Sequence, residues 1–405
     1  MTFTPDFFIN NRRRLLSHAK ADVIVVGANG LLQSASDMTF PFRQESNFWY
    51  LTGIDEPDIV LVMKAGEEFL IAADRDSLRE TFDGAVDTIK LAKVSGIKKV
   101  LGEKEGPKLL KDILGKSKSV ATLVPPKSYI KQAGFYTNPA RARLLRQIKA
   151  GGPKLKVTDI REILTEVRMV KQPAEIAAIQ EAIDISVEGF DEVLANRGEF
   201  KNEYELEAAI GSSFRKRGAS GLAFPTIVAA GINACTLHYV LNDQLVKPKD
   251  LVLIDAGAKV SHYNADITRT VSLGKPSPRQ LAVLEAVVAA QEFAIAQLKP
   301  GLTLKNYVKA VDKYMGEKLA GLGLIKEKTP EQIRRYFPHG VSHFLGLDPH
   351  DVRTYDKPLE PGMVLTVEPG IYIKEEAIGV RIEDDILITK ENARVLSAKL
   401  PKLFV

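Results

Sequence analysis

The chain contains one cysteine, one tryptophan and six histidines among 405 residues. A lone thiol, Cys235, excludes an intramolecular disulfide and any thiolate-rich metal site. No apolar run approaches the roughly 18 residues that would cross a bilayer, so no membrane span is expected. Nor is there a large excess of one charge: 56 basic side chains stand against 51 acidic ones, which gives no footprint for a nucleic-acid partner. The densest basic run, Arg12 to Arg14, reads as a solvated helix face. Lys20 and Asp22 interrupt the apolar core that a twin-arginine export signal would need, and the expected location is the cytoplasm. With 45% hydrophobic and 26% charged residues, the composition is that of a globular chain and argues against disorder and coiled coil. Any metal it holds must be held by oxygen and imidazole.

A chain this long predicts two domains. In residues 1–160, short β-rich runs such as DVIVV (22–26), DIVLVM (58–63) and EEFLIA (67–72) alternate with helix-like segments, as in an α/β domain. Residues 161–405 read as an α+β domain. Helices are expected over 172–198, 202–218, 277–301 and 304–323, with strand-like runs LVLIDAG, DITRTVSLG, MVLTVEPG and IEDDILIT between and after them. One internal echo stands out. DLVLIDAG and GMVLTVEPG each place a carboxylate at the end of an apolar strand, Asp255 and Glu368, with glycine two residues on. A second carboxylate follows each, Asp266 and Glu383, and such a duplication would gather all four at a pseudo-two-fold centre.

Singly, these residues have ordinary explanations, as turn aspartates or a solvated strand edge. Together they are harder to dismiss, because buried carboxylates without partners cost several kcal/mol. Two divalent cations would bring the cluster near neutrality. An oxygen-rich set with little imidazole suits manganese best, with cobalt, zinc and iron as alternatives, and a pair of ions is the usual device for activating one water.

Three of the six histidines fall in HGVSHFLGLDPHD (339–351). His339 and His343 have the i, i+4 spacing of the helical zinc-protease motif, but no glutamate follows His339, and Gly340, Gly346 and Pro349 oppose a helix. A loop presenting His339, His343 and His350 to different tasks is expected instead. His238 lies just before the Asp255 strand and is placed to reach the same centre. His18 and His262 read as structural or surface residues.

The frames LIDAGAKVSHYNADITRT, HGVSHFLGLDPHD, VLTVEPGIY and GVRIEDD resemble those of the dinuclear-metal peptidases of the pita-bread fold, among them aminopeptidase P, prolidase and methionine aminopeptidase. The likeness runs the length of the chain. FPFRQESNFWYLTGIDEPD (40–58) is similar to the amino-terminal domain of aminopeptidase P, and VRMVKQPAEIAAIQEAI (167–183) resembles the start of the catalytic domain in Xaa-Pro enzymes. The resemblance implies a pita-bread catalytic domain with a pseudo-two-fold repeat, preceded by a smaller creatinase-type α/β domain. It implies that Asp266 and Glu383 bridge two metals, that Asp255 serves one, and that His343 and Glu368 serve the other. Glu368 would also move the proton, with His350 on the oxyanion and His238 on the proline side. His339, Tyr372 and Arg381 would support the site. The implied substrate is a peptide with proline second, and the implied assembly a homodimer or homotetramer. A dipeptidase (prolidase) is the alternative, since HDVRTYDKPLE (350–360) is shorter than in aminopeptidase P members and Arg353 or Lys357 is placed to clamp a dipeptide's carboxylate. A binding protein of this fold without catalysis is the remaining alternative, but such proteins lack the full ligand set present here.

Overall fold

The computed structural model describes residues 3–126, 131, 134–354 and 356–404; Tyr355, within the shortened 350–360 segment, lies outside them. The chain forms two compact units, Thr2–Val167 and Arg168–Val405. The boundary expected at 160/161 falls at the start of the helix Arg161–Met169. Among the described residues, no helix is long and apolar enough to cross a membrane.

The first unit is built on a six-stranded mixed sheet. Its order is Val100–Leu101, Glu67–Ile71, Val60–Lys64, Val23–Gly27, Ser119–Thr122, Lys156–Asp159. Val23–Gly27 is central, antiparallel to Val60–Lys64 and parallel to Ser119–Thr122, and its four valines and isoleucines are buried as expected for a strand covered on both faces. Helices Gly106–Lys116 and Pro139–Gly151 pack Leu110, Ile113, Leu114, Leu144 and Ile148 into its core. Here the reading of Arg12–Arg14 as a solvated face is corrected. Arg12 is buried, its guanidinium forked onto Glu68 (2.8 and 2.9 Å) and donating to the Leu51 carbonyl, while Arg13 is exposed. A helix residue facing a carboxylate 56 positions away has a partner that no local pattern announces.

The second unit repeats one plan. Helices Pro173–Ala195 and Glu203–Lys216 precede the strands Ile227–Ala230, Leu251–Ala256 and Ile267–Ser272; helices Pro278–Gln297 and Leu304–Gly321 precede Val364–Val367, Gly370–Ile373, Ile378–Arg381 and Asp384–Ile388. The helices begin where their sequences stop competing for other structure. Gln172, Asn202 and Ser277 form capping boxes with Glu175, Glu205 and Gln280, two of them with proline in the first turn. Within each copy the strands pair antiparallel, Asp255 opposite Thr268 in the first and Val367 opposite Asp384 in the second. The glycine two residues beyond each carboxylate has a steric reason. A Cβ on Gly257 would collide with the Ala265 carbonyl, and one on Gly370 with the Tyr372 ring and hydroxyl. The core of the second copy is continuous, with Val283, Val287, Tyr307, Val311, Met315, Leu365, Val367 and Ile386 all buried.

Candidate metal centre

The repeated hairpin places its carboxylates equivalently. Asp255 sits in one strand, and Asp266 immediately precedes the returning strand; Glu368 immediately follows a strand, and Glu383 immediately precedes its returning partner. The two copies are joined at these points. Glu383 N–H donates to the Thr268 carbonyl (3.0 Å), and Asp266 N–H donates to Asp385 Oδ2 (3.0 Å). His343 is drawn in by Thr366, whose hydroxyl accepts from His343 N–H (3.2 Å) and whose N–H donates to the His343 carbonyl (2.8 Å).

Asp266, His343 and Glu383 offer ligand atoms that all lie within 4.8 Å of one another. His343 Nε2 stands 3.5 Å from Asp266 Oδ2 and 3.6 Å from Glu368 Oε1. Its other nitrogen, Nδ1, lies 3.1 Å from the Phe344 carbonyl, which can only accept. That contact puts the proton on Nδ1 and leaves the Nε2 lone pair for the cluster. Burial holds the His343 pKa down to about 3, so the imidazole is neutral.

Asp255 is tied to Arg381, with Nη2 2.5 Å from Oδ2. The same guanidinium donates to Tyr372 Oη (2.9 Å) and to Thr268 Oγ1 (3.1 Å). The chain continues outward: Tyr372 Oη is 2.8 Å from His339 Nε2, and His339 Nδ1 is 2.8 Å from the Gly340 carbonyl. The only consistent proton arrangement has Nδ1–H on the carbonyl and the tyrosine hydroxyl donating to Nε2. His339 therefore stands behind Tyr372 and Arg381 on the Asp255 side, while its Nδ1 lies 3.7 Å from Glu368 Oε2. His350 stacks obliquely on His343, with ring centroids 4.1 Å apart, and is exposed, as is His238. Burial and then the charge of His238 lower the His350 pKa. His262 occupies a tight turn at φ +69° and His18 the exposed end of the first helix.

The electrostatics favour cations. Burial, and then the charge of Glu383, raise Asp266 and Glu368 well above the usual carboxylate range; burial and Asp255 push Glu383 up to about 8; burial raises Asp385 as well. Asp255 Oδ1 is buried with no hydrogen-bond partner among the described residues. An orphaned carboxylate oxygen, crowded acidic groups and an imidazole lone pair are a donor set that fits hard divalent ions.

The sequence pattern did not reveal the supports. Thr268, Thr366 and Asp385 orient ligands, and Arg269, fully buried, donates to the carbonyls of Thr268, Glu383, Leu400 and Pro401 and to Asp384 Oδ1 (2.7 Å). Gln291 and Ser397 complete the bonds of Asp384. The one signal available was the alternation Thr268–Arg269–Thr270, polar on both faces of a strand whose six residues are all buried.

Residues 177–390 match the model of metallopeptidase family M24. The chain belongs to this family. Residues 8–122 match the aminopeptidase P amino-terminal domain, and the architecture is a pita-bread M24 unit preceded by that smaller α/β domain. The Xaa-Pro aminopeptidase of Haemophilus influenzae is 36% identical over 398 residues, covering 91% of this chain and 88% of the relative. Xaa-Pro aminopeptidase 3 of Rattus norvegicus is 35% identical, covering 95% and 80%. The solved structure of Escherichia coli aminopeptidase P with the inhibitor Pro-Leu superposes with a TM-score of 0.88 at 30% identity, covering 99% of this chain and 97% of that one. M24 membership implies divalent metal ions for this chain, and the carboxylate cluster is a group that could hold them.

Proposed function

We propose that this M24 chain is a two-metal Xaa-Pro aminopeptidase, hydrolysing the bond between an amino-terminal residue and a following proline. The observation that carries the reading is the buried gathering of Asp266, His343 and Glu383, flanked by Glu368 and by Asp255 with its unpaired oxygen, in a chain whose relatives are named for this activity. Asp255, Asp266, His343, Glu368 and Glu383 are the residues that would hold the ions, Asp266 and Glu383 serving both, Asp255 one, and His343 with Glu368 the other. Manganese is the proposed metal, because one imidazole among four carboxylates is an oxygen-rich set; cobalt, zinc and iron are the alternatives. When bound, such ions supply an acidified water and draw charge from the scissile carbonyl.

The residues supply the rest. Glu368, its affinity for a proton raised by burial, takes the water's proton and passes it to the leaving proline nitrogen. His350 stands against His343 at the exposed side of the cluster, where it donates to the developing oxyanion. His238 holds the proline side. Arg381 fixes Asp255, and Tyr372 and His339 brace Arg381 from behind. An Xaa-Pro amide carries no N–H, so recognition must rest on ring shape and on the flanking carbonyls. The proposed setting is a cytoplasmic homodimer or homotetramer. The test is hydrolysis of Ala-Pro, Ala-Pro-Ala and a longer Xaa-Pro peptide with manganese and with chelator. Cleavage of the tripeptide and longer peptide, lost with chelator, is expected. Cleavage of Ala-Pro alone would convert the reading to a dipeptidase, and no bound ion with no chelator effect would sink it.

A further inference from the structure

His350 is a proposed catalytic group with little to hold it. Among the described residues no hydrogen bond reaches its ring, which is exposed and touches His343. Its position therefore depends on its backbone, and that backbone is held firmly one residue on. Asp351 is buried, with Oδ1 2.5 Å from Arg168 Nη2 and Oδ2 3.0 Å from Lys171 Nζ. Both cations are buried too, their side chains 2% and 1% exposed. Arg168 also reaches Asp348 (3.0 Å), so two cations face two carboxylates within ion-pair distance. The segment between His343 and His350 is closed by Asp351 N–H donating to the Phe344 carbonyl (2.8 Å). Its Gly346 carbonyl accepts from both the N–H and the side-chain amide of Asn264 (3.1 and 2.9 Å). Gly346 leaves no spare room, since a Cβ there would collide with Asp351 Oδ2. Lys171 is anchored in turn by its N–H on the Gly362 carbonyl (2.9 Å).

A buried ion cluster is a weak source of net stability, but it tolerates few geometries, and that is what a loop carrying a catalytic side chain needs. We propose that Arg168, Lys171 and Asp351 are positioning residues for His350, fixing from the start of the M24 unit where the exposed imidazole stands. The inference rests on the role given to His350 above.

The test is a double-mutant cycle on the manganese-loaded enzyme with Ala-Pro-Ala. His350→Ala should lower kcat, and Asp351→Asn should lower it by about 10–100-fold, the usual effect of an outer-shell support, with KM and bound manganese little changed. In the His350→Ala background, Asp351→Asn should change kcat by less than about threefold, because the residue it positions is gone. Multiplying effects would overturn the inference. So would a loss in His350→Ala with none in Asp351→Asn, whereas no loss in His350→Ala would refute the role of His350 itself and this inference with it. If Asp351→Asn fails to fold, the compensated pair Lys171→Met/Asp351→Asn, which leaves Arg168 on Asp348, should fold, bind manganese and keep the kcat defect; wild-type kcat in that pair would also overturn the inference.

Discussion

Stripped of divalent ions, the protein should lose stability as pH rises from about 6.5 to 8. Asp266, Glu368, Glu383 and Asp385 all have pKa values raised in the folded state, first by burial; Glu383 moves from 4.5 to about 8. Between those two values Glu383 in the folded protein keeps a proton that the unfolded chain has released, so each pH unit costs about 1.4 kcal/mol at this one group. For Glu383 alone the full span is on the order of 5 kcal/mol. Stability is thus intact below the unfolded pKa and lost as pH climbs through the folded one. His339 and His343 act in the opposite direction. Both are held neutral, with pKa values lowered by burial from 6.5 to about 3, so they add stability as pH rises to 6.5 and nothing beyond. Above pH 6.5 the carboxylates act alone. For a unit of this size, about 1 kcal/mol corresponds to roughly 2–4 °C in Tm, giving about 3–6 °C lost per pH unit from Glu383, with the other raised carboxylates acting in the same direction. Manganese binds the ionised form, so the loaded protein should escape this loss and the gap between loaded and metal-free Tm should widen with pH. Calorimetry at pH 6.5, 7.2 and 8, with chelator and with manganese, checks this. A metal-free Tm that is flat or rises over that interval would refute the electrostatic account.

Three further outcomes follow from the same geometry. Asp266→Asn removes one buried charge, so it should abolish peptidase activity and weaken manganese binding in titration calorimetry, yet raise the metal-free Tm at pH 8. Arg381→Met leaves Asp255 without its guanidinium, and denaturant unfolding of the metal-free protein should show a loss of roughly 3–5 kcal/mol, the cost of breaking a buried pair on one side. Tyr372→Phe cuts the chain from Arg381 to His339 and leaves buried groups unsatisfied; the same unfolding measurement should show a loss of about 1–3 kcal/mol, with manganese stoichiometry retained.

What could be read in the sequence was local. Helix starts were legible because capping residues and prolines act within one turn, as at Ser277 with Gln280. The two carboxylate-then-glycine strand ends were legible because Gly257 and Gly370 each answer a steric demand close by in the chain. What could not be read was partnership across distance. Arg12 meets Glu68, Arg269 meets Asp384 and Arg168 meets Asp351, the last two across 115 and 183 residues, and nothing near any of these arginines names its partner. The histidine cluster shows both cases. Its glycines and proline correctly argued against a helix, but only the fold shows that Nδ1 of His339 and of His343 each meets the carbonyl of the next residue, leaving Nε2 of His343 to the carboxylates and Nε2 of His339 to Tyr372.

The repeat also explains why carboxylates in equivalent backbone positions differ chemically. Asp255 and Glu368 end corresponding strands, yet the guanidinium of Arg381, from the second copy, closes on Asp255 of the first at 2.5 Å. Glu368 has no such partner within ion-pair distance; its charged-group neighbours are His339 Nδ1 at 3.7 Å and His343 Nε2 at 3.6 Å, both on rings held neutral by burial. Glu368, facing neutral imidazoles and other buried carboxylates, has its pKa raised by burial and then by the charge of Glu383, although Arg381 draws it down in part. Pseudo-symmetry therefore builds the cluster, and one asymmetric arginine divides its labour. Asp255 keeps a direct guanidinium contact that Glu368 lacks, so the proposed proton carrier is the member of the pair that no arginine touches.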